Sequence, residues 1–312
     1  MTLAPSSVPV ATLRDTLLPA LNQIILGKEL TLKLAATCLL ANGHLLLEDL
    51  PGMGKTTLSH ALAKVFGLSY RRIQFTSDLL PADILGASVY HPEQQHFRFH
   101  PGPIFSQVVL ADELNRATPK AQSALLEAME EYQVSIEGES WPLPQPFFVI
   151  ATQNPQHHAG TYPLPESQLD RFLMRLSLGY PDPAAERRLL RGDSGREALH
   201  SLQPVLSAEQ LQLLQQDVQH ASVSEGLLDY VQRLVNYTRQ HEQIELGLSP
   251  RAAQALLRAA RSWSLLSGRD YVLPDDVQAV FVAVAGHRLH GTGDQPGAHL
   301  ARLCLQQVQV VA

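Results

Sequence analysis

Over the first 180 residues, short apolar runs alternate with stretches whose apolar positions recur at helical spacing. Residues 44–47, 72–75, 108–111, 147–150 and 173–178 read as five strands, with helices over 56–65 and 119–132. Apolar runs without alternation fit strands covered on both sides. Strands alternating with helices predict a parallel five-stranded sheet with helices on both faces. Two segments break the rhythm. Residues 87–90 with 97–100, and 134–136 with 140–142 around Gly138, read as two β-hairpins standing out from the sheet. From about Tyr180 onward the pattern predicts helices only. Ser207 with Gln210 and Ser222 with Glu225 have capping-box spacing. Ser249-Pro250 reads as an N-cap and first helical position, Gly268 as the end of that helix, and Pro274 as the start of a last long one. The fold class expected is α/β with an all-helical lid, divided into residues 1–182 and 183–312.

Composition narrows the class. The chain has 312 residues, 45% of them hydrophobic, enough for a sizeable core. A formal charge of −6 argues against a non-specific nucleic-acid binder, which needs basic surface to displace counterions. The two cysteines, Cys38 and Cys304, each lie in an apolar helical stretch and read as buried thiols in a reducing compartment. Met1 to Val10 carries no positive charge and no apolar core, so it is no signal peptide. The longest apolar stretches fall short of the roughly 20 residues that a membrane helix needs. A cytoplasmic protein with no direct membrane insertion is expected.

The chemistry begins at Asp49-Leu50-Pro51-Gly52-Met53-Gly54-Lys55-Thr56, which follows a strand and opens a helix. It matches the phosphate-binding pattern G-x-x-x-x-G-K-[ST], except that Asp49 replaces the first glycine. Pro51, Gly52, Met53, Gly54 and Thr57 are expected to wrap phosphate oxygens with the helix N-terminus behind them. Lys55 would reach the β- and γ-phosphates, and Thr56 would bind Mg²⁺. The strand 108–111 then delivers Asp112-Glu113. Asp112 would hold Mg²⁺ through water and Glu113 would polarise the attacking water. Asn154, at the carboxyl end of the next strand, is placed between that water and the γ-phosphate. Arg171 and Arg251 are guanidiniums able to answer charge on a γ-phosphate, in cis or from a neighbouring subunit.

These motifs together resemble the AAA+ ATPases and, within them, the MoxR family, over nearly the whole chain from about Ile25. The resemblance is carried by Leu110-Ala111-Asp112-Glu113-Leu114-Asn115-Arg116-Ala117, Ala124-Leu125-Leu126-Glu127-Ala128-Met129-Glu130-Glu131, Phe148-Val149-Ile150-Ala151-Thr152-Gln153-Asn154-Pro155 and Gly160-Thr161-Tyr162-Pro163-Leu164-Pro165-Glu166. It implies that the first hairpin is the family's insert in the second helix, and the second its hairpin before sensor 1. It further implies that Asn154 is the sensor 1 residue and that Gly27 lies in the loop around adenine. Arg171 would be the arginine finger that reaches a neighbour's ATP. Arg251 would be the sensor 2 arginine, reporting the γ-phosphate as the lid closes on the core. ATP and Mg²⁺ are the implied cofactors. A homo-oligomeric, hexameric ring is implied, acting chaperone-like on a client protein and paired with a partner carrying a von Willebrand factor A domain.

Other signals weigh less. His157-His158 are adjacent, so their rings diverge, and His287 with His290 has no third ligand nearby; both pairs read as surface histidines. Trp141 and Trp263 read as packing residues, and Arg187-Arg188-Arg191 as a solvated helix face. A nucleic-acid motor is the main alternative, and a chelatase-type motor subunit is a variant with the same chemistry. The motor would need basic hairpins. The first offers only Arg98, and the second carries Glu137 and Glu139 without a basic residue.

Overall fold

The computed structural model describes residues 13–93, 95–154, 161–192, 195–293 and 295–311. A π-helical turn, Leu13–Leu17, leads into α1 (Leu18–Ile24) and α2 (Glu29–Leu40). Then come β1 (His44–Glu48), α3 (Lys55–Val65), β2 (Tyr70–Gln74) and the short α4 (Pro81–Leu85). The first hairpin is β3 (Gly86–His91) with β4 (His96–Pro101). β5 (Val108–Asp112) and α5 (Pro119–Glu131) lead to the second hairpin, β6 (Gln133–Ile136) with β7 (Glu139–Pro142). β8 (Phe148–Gln153), α6 (Glu166–Leu169) and β9 (Phe172–Leu176) complete the α/β part.

The five expected strands pair in parallel in the order β2-β5-β8-β1-β9. Successive residues of the central strands β1, β5 and β8 enter two different cores. Leu45, Leu47, Val108, Leu110 and Ile150 face one, and Leu46, Val109, Ala111, Val149 and Ala151 face the other. That is why these runs are apolar throughout: both faces are covered, and alternation has nothing to mark. Both hairpins are antiparallel pairs outside this sheet. Phe99 of the first stacks on Trp141 of the second at 4.7 Å, so Trp141 is a packing residue.

The remaining helices are α7 (Pro183–Leu190), α8 (Gly195–Ser201), α9 (Ala208–His220), α10 (Glu225–Gln240), α11 (Pro250–Leu266), α12 (Pro274–Ala285) and α13 (Gly297–Gln307). Ser207 and Gln210 form the expected box, and Ser249 accepts from the Ala252 N–H as the α11 cap. Three expectations need correction. The lid is not purely helical: β10 (Ile244–Leu246) pairs antiparallel with β11 (His290–Gly291) across more than forty residues, beyond the reach of a local pattern. Ser224, not Ser222, caps α10, because the Ser222 backbone is spent on Asp270 and Val272. The helix opened by Pro274 is not the last. α12 stops at Gly286, where a Cβ would lie 3.2 Å from the Ala298 Cα of α13.

Cys38 and Cys304 are buried free thiols, and burial pushes both up, Cys304 to about 11. Among the described residues, no helix is long and apolar enough to cross a membrane.

His44 opens β1 in full burial. Its Nδ1 accepts from the Val149 N–H at 3.0 Å, and its Nε2 is 3.2 Å from the Met129 carbonyl. Burial holds it down to about 4. The folded value lies below the unfolded one, so this stabilisation is intact above about pH 6.5 and fades as pH falls towards 4. The loss reaches about 3 kcal/mol. His287, also buried, titrates in the same direction. Thermal melts should therefore drop between pH 6.5 and 4, and His44→Asn, which keeps an acceptor for Val149 but cannot charge, should drop less. Identical acid slopes for the two proteins would remove His44 from this account.

Candidate nucleotide site

β1 ends at Glu48, and the next residues turn back to start α3 at Lys55. Gly52 (φ +85°) and Gly54 (φ +92°) make that turn in left-handed backbone. A Cβ at either would meet no crowding atom, so the conformation selects glycine rather than the space. Lys55 is buried. Its Nζ donates to the Asp49 carbonyl at 2.6 Å and the Asn154 Oδ1 at 3.4 Å. Burial lowers the pKa of this ammonium, opposed first by Asp49 and then by Asp112 and Glu113. Pro51 and Thr56 are exposed at the mouth, with Met53 and Thr57 half-buried behind them.

Asp49, which stands where the pattern has glycine, is buried and fully used. It accepts from Ser177 Oγ at 2.7 Å and from the N–H groups of Leu178 at 2.5 Å and Gly179 at 3.1 Å. A glycine would leave those donors without it, so the substitution ties the loop to the chain leaving β9. Gly27 (φ +69°) sits beside the same exit. A Cβ there would collide with Asp182 Oδ2 at 2.4 Å, and Lys28 donates to the Tyr180 carbonyl. The Ile25 side chain reaches within 3.8 Å of a Cβ built on Gly54, which brings this loop alongside the phosphate turn.

On β5, Asp112 accepts from Thr152 Oγ1 at 2.6 Å and is ion-paired to Arg72 of β2 at 2.6 Å. Glu113 follows at φ +58°, a left-handed conformation that a non-glycine residue adopts at a cost of roughly 1–2 kcal/mol. Its N–H donates to Thr152 Oγ1, which anchors the turn. Three donors hold its carboxylate: Gln74 at 3.0 Å, Arg116 at 3.2 Å and Asn154 at 3.4 Å. Asn154 is buried and lies between Lys55 and Glu113. The phosphate turn, the acidic pair and the polar strand end thus converge at the carboxyl ends of three adjacent parallel strands. Positive-φ glycines, a buried ammonium and a helix N-terminus fit a polyphosphate. Asp112 and the Thr56 hydroxyl are the hard oxygen donors that suit Mg²⁺. Sequence reasoning missed Arg72, Gln74, Arg116 and Thr152. The available signal was two polar residues, Arg72 and Gln74, at i and i+2 on the strand beside the acidic one.

The two remaining candidates lie elsewhere. Arg171 immediately precedes β9, and β9 pairs from its first residue with His44, the first residue of β1. The phosphate turn leaves the far end of β1, about 13–16 Å away along five residues. Arg171 donates to the Leu126 carbonyl and pairs with Glu130 at 2.9 Å. Arg251 pairs with the other oxygen of Glu130 at 3.0 Å. In this structure Arg251 thus lies beside Arg171 and not at this chain's own phosphate turn. The Ser249 cap starts α11 under the amino ends of the strands, beside Arg171.

The histidine reading needs correction. His287 is a core residue bonded to the Phe172 carbonyl at 3.0 Å, and only His290 is partly open, 3.6 Å from Glu166. His157-His158, Pro155 and Gly160 lie outside the described residues.

Residues 44–174 match the family model for the ATPase family associated with various cellular activities (AAA), and residues 236–302 match the AAA lid domain. The chain is 47% identical over 269 residues to protein YeaC of Bacillus subtilis, covering 86% of this chain and 84% of that one. It is 43% identical over 284 residues to chaperone MoxR1 of Mycobacterium tuberculosis, covering 88% and 74%. A crystal structure from Cytophaga hutchinsonii, described as that of a candidate ATPase, superposes with a TM-score of 0.87 at 34% identity, over 96% of this chain and 95% of that one.

Proposed function

The chain belongs to the MoxR family of AAA+ ATPases, and from that premise we propose that it hydrolyses ATP to ADP and phosphate and works as a ring that remodels a partner protein. The observation that carries this reading is the convergence of Lys55, Asp112, Glu113 and Asn154 at the carboxyl ends of the central strands. Gly52, Gly54 and Lys55 hold the triphosphate, with Pro51, Met53 and Thr57 shaping the turn. Gly27 and its neighbours line the adenine side. Thr56 and Asp112 hold Mg²⁺, which when bound neutralises charge on the phosphates. Arg72 must then release Asp112, which its half-exposed position permits. Glu113 orients the attacking water, and Asn154 keeps that carboxylate and Lys55 in register.

Arg171 and Arg251 lie too far from their own Lys55 to serve it. Their reading is therefore in trans: both are offered to the nucleotide of the next subunit, in a closed head-to-tail ring, a hexamer. Residue 182 divides the ATPase core from the lid. Tyr90 and Phe97 form an exposed aromatic pair on the first hairpin, 5.2 Å between ring centroids, with little positive charge nearby. That surface suits a protein client better than a phosphate backbone. A protein with a von Willebrand factor A domain is the first candidate partner. The test is direct. Purified protein should release phosphate from ATP only with Mg²⁺, and Lys55→Ala should neither bind ATP nor release phosphate. Metal-independent or Lys55-independent turnover would rule this reading out.

A further inference from the structure

At the amino ends of the strands a cavity of about 240 Å³ opens between α5, β9 and α11. Four guanidiniums line it, from Arg171, Arg251, Arg258 and Arg288, against the two carboxylates of Glu130 and Asp170. Arg288 is committed to the fold: it is buried, pairs with Asp170 at 2.6 Å and donates to the Phe172 carbonyl at 2.8 Å. Glu130 answers both Arg171 and Arg251. Arg258 is exposed and has no hydrogen-bond or ion-pair partner among the described residues. It lies seven residues after Arg251 on α11, two turns along the same helix face. It lines the same cavity as His44, Tyr132 and Arg288.

Four guanidiniums against two carboxylates leave this cavity net cationic and open to an anion. We infer that Arg258 is a third guanidinium for the triphosphate of the adjoining subunit, beside Arg171 and Arg251. This rests on the in-trans reading above. In the single chain Glu130 stands in for that anion: its two oxygens keep Arg171 and Arg251 turned into the cavity. Arg258 has no ion pair to break and meets the nucleotide directly. An acidic side chain of the adjoining subunit would offer the same negative charge, so the experiment separates the two sources.

Arg258→Ala and Arg258→Lys rings are compared with wild type for ATP turnover, with assembly followed by sedimentation with and without ATP. Because Arg258 is exposed, melting temperatures should be unchanged. Arg258→Ala should assemble with ATP, lose at least about tenfold in kcat and shift KM less than about threefold. Each is a fraction of what a full arginine finger supplies. Arg258→Lys should fall between, since an ammonium keeps the charge but not the fork. Mixing Arg258→Ala with Lys55→Ala subunits should restore turnover. Wild-type kcat in Arg258→Ala overturns the inference. So does loss of assembly with and without ATP alike, which would assign the anion to a protein side chain. If Arg171→Ala also fails to recover on mixing with Lys55→Ala, the in-trans reading falls, and not this inference alone.

Discussion

Glu113→Gln protein is expected to bind ATP as tightly as wild type and to hydrolyse it at least about a hundredfold more slowly, the loss typical of a group that activates a nucleophile. The substitution is suited to the site. Gln74 and Arg116 aim donors at one oxygen of this side chain, and the amide oxygen of glutamine still accepts from them; only the longer bond from Asn154, to the other oxygen, is lost. The Thr152 hydroxyl still accepts the residue 113 N–H, so the left-handed turn survives. What disappears is the negative charge that polarises water. Binding is read by calorimetry or a fluorescent ATP analogue, and turnover by phosphate release. Lys55→Ala is the opposite control, losing affinity rather than rate, because its buried ammonium is the main cation in the phosphate turn. Wild-type turnover in Glu113→Gln would falsify the assignment of Glu113.

The second large effect concerns Arg171. Arg171→Ala should lose on the order of 10³-fold or more in kcat while each subunit still binds ATP, the scale of an arginine finger. Mixing it with Lys55→Ala is decisive, because each variant lacks a different half of the site. In randomly mixed rings roughly a quarter of the interfaces pair an intact phosphate turn with an intact finger, so turnover should return towards a quarter of wild type. Arg251→Ala should behave alike, since it shares Glu130 with Arg171. Persistent silence in rings shown to contain both variants would mean that the arginines act within their own chain. The path from the amino end of β9 to the phosphate turn argues against that.

Much of this protein is legible in the linear chain, for local physical reasons. Residues 108–111 and 148–151 are apolar runs buried on both faces. The glycines of the phosphate turn are demanded by φ values near +90°. Ser207 and Ser249 cap helices through bonds spanning three residues. Each depends on neighbours a few positions away, and the family pattern lies in the same stretches. Asp49 shows the limit of such reading: as a departure from the pattern it carried no role, and only its three donors from residues 177–179, on the far side of β9, supply one.

The sequence by itself determined the family, the parallel sheet and the glycine-rich turn before α3, because the patterns that mark them are local. Tertiary structure alone decided which residues work together. Arg72 reaches Asp112 across 40 positions and Gln74 reaches Glu113 across 39, through strand pairing that no spacing reveals. Arg251 reads as a lid residue, open to its own or a neighbouring subunit's nucleotide, until the fold sets it beside Arg171, 121 positions from the Glu130 that holds it. The edge position of β9 and the start of α11 beneath the strands set both arginines away from their own phosphate turn. Long-range packing is governed by how whole faces fit, and that information is spread over the chain rather than written at any one residue.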